Sequence, residues 1–176
     1  YRRTGDDGTT GLLFGGRVRK DSARPAAYGD VDEAQAVLGL ARSAAGAGLE
    51  LESILVRLQR ELWVLMAELA TAPENRSKLR PGTSLVTPGM VEGLERLIDE
   101  LSGRFEPPGE FVVPGQSPAS AFLDLARAVV RRAERQALAV TASGAHVVPY
   151  LNRLSDLLWT MARWQEDEPL PARPRE

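Results

Sequence analysis

The sequence predicts an all-α protein, a five-helix up-and-down bundle, and three observations carry that reading. Leucine, valine and alanine recur at three- and four-residue steps through most of the chain. Cap-plus-proline pairs stand where helices would begin, at Thr87-Pro88 and Ser117-Pro118. No stretch alternates apolar and polar residues clearly enough to compete as a strand. The 176 residues favour one domain, expected over 1–165. Hydrophobic residues at 43% and charged residues at 26% fit an ordinary globular chain with a sizeable core.

Residues 1–29 are rich in Gly, Arg and Asp and hold no period, so they read as a loop or arm. Asp30 with Glu33 three residues on resembles a capping box, and Val31, Ala34, Leu38, Ala41 and Ala45 follow at helical spacing to Gly46. In 49–70, Leu51, Leu55, Leu58, Leu62, Leu65 and Leu69 form the clearest amphipathic stripe, closed by Pro73 and a polar linker over 73–86. Val91, Leu94, Leu97, Ile98 and Leu101 mark a third, shorter helix. The loop over 103–116 has an apolar centre, Phe111-Val112-Val113. A fourth helix is expected from Ser117 to about Ala142, and a fifth from near Pro149, with Leu151, Leu154, Leu158 and Met161 toward the core. The charged, proline-rich end, 166–176, is expected to be a disordered tail.

Composition removes several chemistries. There is no cysteine, which excludes thiol catalysis and zinc-cysteine sites, and His146 is the single histidine, which argues against histidine metal clusters and a Ser-His-Asp triad. A net charge of -2 argues against non-specific nucleic-acid binding. No apolar run is long enough for a membrane helix, and the first residues lack a signal-peptide core, so the expected compartment is cytoplasmic and no membrane partner is expected. The chain begins at Tyr1 without methionine, so a short preceding piece is expected.

The fourth helix places Phe122, Leu125, Ala126, Val129, Ala133 and Val140 on one face. Asp124, Arg127, Arg131, Glu134 and Arg135 share a sector of roughly 100° opposite. The plain reading is a solvated face. Against it, Arg127–Arg131 and Arg131–Arg135 are like-charge pairs four residues apart, unfavourable unless an anion answers them. Forked guanidiniums suit a polyphosphate. On the fifth helix Asn152, Asp156, Trp159 and Arg163 line a second stripe, either surface or a buried seam or subunit interface. In the opening GDDGTTG, Gly5 and Gly8 permit converging N–H groups, Thr4, Thr9 and Thr10 add hydroxyls, and Arg3 and Lys20 add charge. It is no Walker loop, and an acidic turn or an incomplete calcium-type loop remains an alternative.

Three segments in order, RTGDDGTTGL with AYGDVDEA, then FVVPGQSPASAFLDLARAVVRRAER, then YLNRLSDLLW, resemble the PduO-type ATP:cob(I)alamin adenosyltransferases, nearly to Trp164. The resemblance implies a five-helix bundle with ferritin-like packing, assembled as a homotrimer with sites between subunits. It implies transfer of the 5'-deoxyadenosyl group of ATP, with Mg²⁺, to cob(I)alamin, and a partner reductase and cobalamin-dependent mutase. By the same resemblance Arg3, Thr4, Gly5, Asp6, Thr9, Thr10 and Lys20 contact the nucleotide, as do Arg131, Glu134, Arg135 and Asn152. Asp32 and Arg127 match a salt bridge across the interface. Phe111 matches the residue that occupies the lower corrin face. Arg2, Gln116 and Trp159 depart from the family pattern, and the connector after Ala142 is short. A non-catalytic cobalamin or nucleotide carrier is the alternative, and a plain oligomerisation bundle a third.

Overall fold

The computed structural model describes residues 3–166 and 168–173. Arg2, singled out above, lies outside the described residues. Five α-helices make the body: α1 Ala23–Ala45, α2 Glu50–Leu69, α3 Pro88–Ser102, α4 Pro118–Ala137 and α5 Val147–Trp164. A 3-10 helix, Pro73–Lys78, lies within the expected polar linker. The opening segment is not wholly irregular. Strands β1 Thr9–Gly11 and β2 Arg17–Arg19 pair antiparallel, with Thr10 opposite Val18. Three-residue strands are too short to show an alternation, which is why the sequence pattern missed them.

Neighbouring helices follow the order α2, α1, α4, α5, α3. Three of these pairs run antiparallel, while α3 and α5 run parallel, with Arg104 just past the end of α3 lying 5.5 Å from the centroid of the Trp164 ring at the end of α5. Arg24 at the start of α1 donates to Val140 O beyond the end of α4, and Gln35 and Gln59 exchange amide-to-carbonyl bonds between α1 and α2. Asn152 near the start of α5 meets Glu134 near the end of α4. The packed positions repeat every seven residues: Ala27, Ala34 and Ala41 with Val31 and Leu38 on α1, Ala119, Ala126 and Ala133 with Leu123, Val130 and Ala137 on α4. That spacing keeps one seam facing its neighbour in a shallow left-handed crossing. All six leucines of the α2 stripe are buried, as are Leu151, Leu154, Leu158 and Met161.

Helix starts divide between agreement and correction. Thr87 caps α3 by accepting from Met90 N, and Ser117 and Ser120 form a reciprocal capping box at α4. Asp30 is not a cap. The first helix starts more than two turns earlier, after Ser22, because Pro25 sits in the first turn, where its missing N–H costs nothing. Asp30 instead lies 3.2 Å from Arg132 Nε, and Arg132 also meets Glu33. Helix α4 ends at Ala137 rather than near Ala142, where the Thr141 hydroxyl donates back to Ala137 O at 2.7 Å. Leu125, placed on the core face by its pattern, is exposed, and Leu123 takes the inward position. The 166–176 segment is partly paired: Val113 N donates to Leu170 O at 2.8 Å and Ala172 N to Phe111 O at 2.7 Å.

A buried polar clasp ties α5 to α2. Tyr150 of α5 is fully buried and donates its hydroxyl to Glu61 Oε2 of α2 at 2.6 Å. Burial, and then the Glu61 carboxylate, hold the phenol well above its ordinary pKa. Tyr150→Phe deletes a bond to a charged acceptor and is expected to lower stability by about 1.5–3 kcal/mol. Urea unfolding checks this, and an unchanged midpoint would refute the clasp.

Candidate functional site

The hairpin builds the first cluster. Turn 4–7 leads into β1, and Gly8 takes φ 79°, a left-handed conformation that lets its carbonyl accept Lys20 N at 2.9 Å. Asp7 Oδ1 accepts both the Thr9 N–H at 2.9 Å and the Thr9 hydroxyl at 2.7 Å. Arg17 Nε donates to Thr9 Oγ1 at 3.0 Å, and its Nη2 reaches Thr4 O. The carboxyl of Asp7 is held below the usual range, first by the Thr9 hydroxyl, then by the Thr9 N–H, with Arg17 adding to them. Lys20 Nζ lies 3.1 Å from the point where a Cβ on Gly5 would stand. A side chain at Gly5 would press on this ammonium and on the Thr9 carbonyl, 3.2 Å from the same point. A main-chain bond from Leu13 N to Ala70 O at 2.9 Å anchors the hairpin to the end of α2.

The second cluster lies on α4 and α5. Arg131 and Arg135 are exposed, and Arg135 Nη1 donates to Arg131 O at 2.9 Å. Asn152 Nδ2 donates to Glu134 Oε1 at 3.1 Å, while Asn152 Oδ1 accepts Arg153 Nη1 at 2.6 Å. Arg153 in turn donates to Glu95 of α3 at 2.9 Å. The asparagine amide is thus fixed from both ends. Two guanidiniums left on an open helix face, beside an oriented amide, are suited to a polyanion with a hydrogen-bonding base or sugar.

Phe111 marks the third region. It is 88% exposed and borders a cavity of about 520 Å³ under the 108–114 loop, shared with Arg127 and Trp159. Asp124 and Arg163, read from sequence as members of polar faces, are both buried there and joined at 2.5 Å. For Arg163 the buried-seam alternative is the one realised.

These regions stay separate within one chain. Thr4, Asp6, Thr9, Thr10 and Lys20 make no hydrogen bond or ion pair with Arg131, Glu134, Arg135 or Asn152 among the described residues. Asp32 is exposed on α1, and the ion pair that Arg127 forms is with Asp124 at 3.7 Å, not with Asp32. Sequence reasoning missed Asp7, Arg17, Arg153 and Glu95. Arg17 carried no signal because its partners are set by hairpin register, whereas Asp7 meets Thr9 only two residues on, a local turn contact that the Asp-Gly-Thr spacing could have signalled. Arg153 adjoins Asn152 in sequence but is defined by a carboxylate 58 residues away. Among the described residues no group of three or more acidic or histidine side chains is placed to hold a metal ion. No helix there is long and apolar enough to cross a membrane.

The sequence profile of the cobalamin adenosyltransferases matches residues 1–165. The chain is 41% identical over 168 residues to a corrinoid adenosyltransferase of Mycobacterium tuberculosis, covering 93% of this chain and 86% of the relative. It is 40% identical over 172 residues to one of Citrobacter freundii, covering 96% of each. Its fold superposes with a TM-score of 0.87 on a phenylalanine-to-alanine variant of a PduO-type ATP:corrinoid adenosyltransferase from Lactobacillus reuteri, solved with cobalamin and ATP. That match has 26% identity and covers 99% of both chains.

The depressed Asp7 carboxyl gives a test of the hairpin. Its contribution is present above the ordinary carboxylate range and is lost as pH falls through the lowered folded value. The Thr9 amide NMR resonance is expected to titrate below that range, and Asp7→Asn to abolish the titration. A midpoint at or above the ordinary value would contradict the arrangement.

Proposed function

We propose that this chain, which belongs to the cobalamin adenosyltransferase family and is an ATP:corrinoid adenosyltransferase, moves the 5'-deoxyadenosyl group of ATP onto the cobalt of cob(I)alamin and releases triphosphate. The observation that carries the site assignment is the open pair Arg131 and Arg135 beside the doubly anchored Asn152. In the reaction the cobalt(I) lone pair attacks the ribose C5'. The cobalt–carbon bond forms as the C5'–oxygen bond breaks, and the bonding electrons leave on triphosphate. Negative charge grows on that leaving group. Arg131, Arg135 and Lys20 answer it with cations already in place, the electrostatic contribution that usually dominates such steps. No protein nucleophile is required, consistent with a chain that has no cysteine.

Glu134 and Asn152 hold the nucleoside, and Arg3, Thr4, Gly5, Asp6, Thr9 and Thr10 form the cover over it. The separation of hairpin and helix clusters within one chain supports a site completed by a second copy. We assign a homotrimer with ferritin-like packing, in which Asp32 of one subunit meets Arg127 of the next. Bound with ATP, Mg²⁺ would be held chiefly by phosphate oxygens and water, with Asp6 and Glu134 as the carboxylates this site offers, and would help neutralise the leaving triphosphate. Phe111 blocks the lower corrin face, so the dimethylbenzimidazole base is displaced and cobalt(I) becomes easier to reach. The setting is cytoplasmic, with a reductase supplying electrons and a dependent mutase receiving the product.

The reductively prepared corrinoid, incubated with ATP and Mg²⁺, is expected to give the spectrum of a cobalt–carbon bond, and no spectral change would overturn the reading. Arg131→Ala is expected to cut turnover by about 100-fold or more. Its unfolding free energy should stay within about 0.5 kcal/mol, because the side chain is exposed. A normal rate would remove Arg131 from the site. Light scattering tests the assembly, and a stable monomer with full activity would defeat the shared site.

A further inference from the structure

The cavity beside Phe111 has an ionic wall. The Arg163 side chain is 2% exposed and meets two carboxylates that are themselves 6% and 0% exposed, Asp124 and Glu166. Its Nη2 donates to Asp124 Oδ2 at 2.5 Å and to Glu166 Oε1 at 3.1 Å. Its Cζ lies 6.0 Å from the centroid of the Trp159 ring, one turn back on α5. The other Asp124 oxygen stands 3.7 Å from Arg127 Nε, a buried nitrogen with no hydrogen-bond partner. The cluster therefore holds two cations and two anions. Asp124, Arg127, Trp159 and Arg163 face the cavity that Phe111 borders. Arg163 and Glu166 also border a neighbouring cleft of about 400 Å³, and Pro108 and Gly109 of the Phe111 loop border both.

Stability does not account for this cluster, since well-packed apolar residues of similar volume commonly serve as well as buried ion pairs. Geometry does. A planar guanidinium can hold two carboxylates and approach a ring at once, which a lysine ammonium cannot do in the same fixed plane. We propose that Arg163 is a positioning residue for the corrinoid side of the reaction. It fixes the Trp159 ring and, through Asp124, the Arg127 guanidinium, as the rigid wall against which Phe111 excludes the lower base. The proposal rests on the Phe111 role assigned above.

The test compares two corrinoids: cobalamin, and cobinamide, which lacks the dimethylbenzimidazole base. Arg163→Lys is expected to lower kcat/KM with cobalamin by about 100-fold, as misplaced reacting groups do. With cobinamide it should stay near the unmodified rate, because no base has to be displaced. ATP affinity should not change, and the base-off signal of cob(II)alamin bound with ATP should fall. If Arg163→Lys does not fold, Asp124→Asn carries the same expectation, since it leaves Glu166 to meet the guanidinium. Equal losses with both corrinoids, or none with either, would overturn the proposal. Phe111→Ala is run beside it. If that variant keeps full rate with cobalamin, the Phe111 role falls and the positioning role with it. If it loses cobalamin turnover while the Arg163 and Asp124 variants keep theirs, only the positioning role falls.

Discussion

The alanine seam between α1 and α4 is the constraint on which the rest of the molecule depends. Ala27, Ala34 and Ala41 face Ala119, Ala126, Ala133 and Ala137, and all but Ala119 are fully buried. Small side chains let two backbones approach closely, and a seven-residue spacing keeps them in register over many turns. With α1 and α4 held at the centre, α2 and α5 take the flanks and α3 packs on α5. A larger residue at Ala34 or Ala133 would push the helices apart and move every side chain presented on α4. The site is a property of that helix's rotation. Inward positions go to Ala and Val, so Arg131, Glu134 and Arg135 turn outward together.

Polar groups then divide the surface between two kinds of work. Some are consumed within the chain. Arg24 caps the carbonyl ends of α2 and α4 by donating to Leu69 O at 2.9 Å and to Val140 O, and burial lowers its pKa. Glu68, nearly buried, accepts Arg76 at 2.7 Å and Val86 N at 2.7 Å and so ties the linker to α2. These charges are spent on the fold and have little left to offer a ligand. Arg131 and Arg135 differ because their guanidiniums face no carboxylate among the described residues. A helix that keeps like charges four residues apart without an internal answer is suited to meet an external anion.

Glycine and proline place the remaining parts. The Phe111 loop is framed by Pro107, Pro108 and Pro114 and bends at Gly115, where φ is 112°. Such a frame restricts the loop without giving it a helix or sheet of its own. The strand-like bonds from Phe111 and Val113 to Ala172 and Leu170 add a second restraint on the same side of the molecule. An aromatic ring left 88% exposed on that frame is costly in water unless an apolar surface covers it, which the flat face of a corrin would supply.

The sequence by itself determined most of each helix, because amphipathic periodicity is local: each leucine of 51–69, and Ala34, Ala41, Ala126 and Ala133 of the seam, announce their inward face within one or two turns, whereas Ala27 lies in the stretch read as a loop. It also determined the caps at Thr87 and Ser117, whose chemistry spans three residues. Arg131, Glu134 and Arg135 were legible as an outward-facing charged group, and the resemblance adds the expectation that they contact a nucleotide. Tertiary structure alone decided which charges remain available. Asp124 reads as a surface residue in sequence and Arg163 as either surface or seam, yet burial joins them. Asp30 looks like a cap, yet Pro25 starts the helix earlier and Arg132 claims its carboxylate. The hairpin likewise depends on Asp7, Thr9 and Arg17 meeting across a turn, and Arg153 orients Asn152 only because α3 brings Glu95 alongside. Periodicity reports which way a side chain points. What it meets there depends on chain segments tens of residues away, and only packing brings those together.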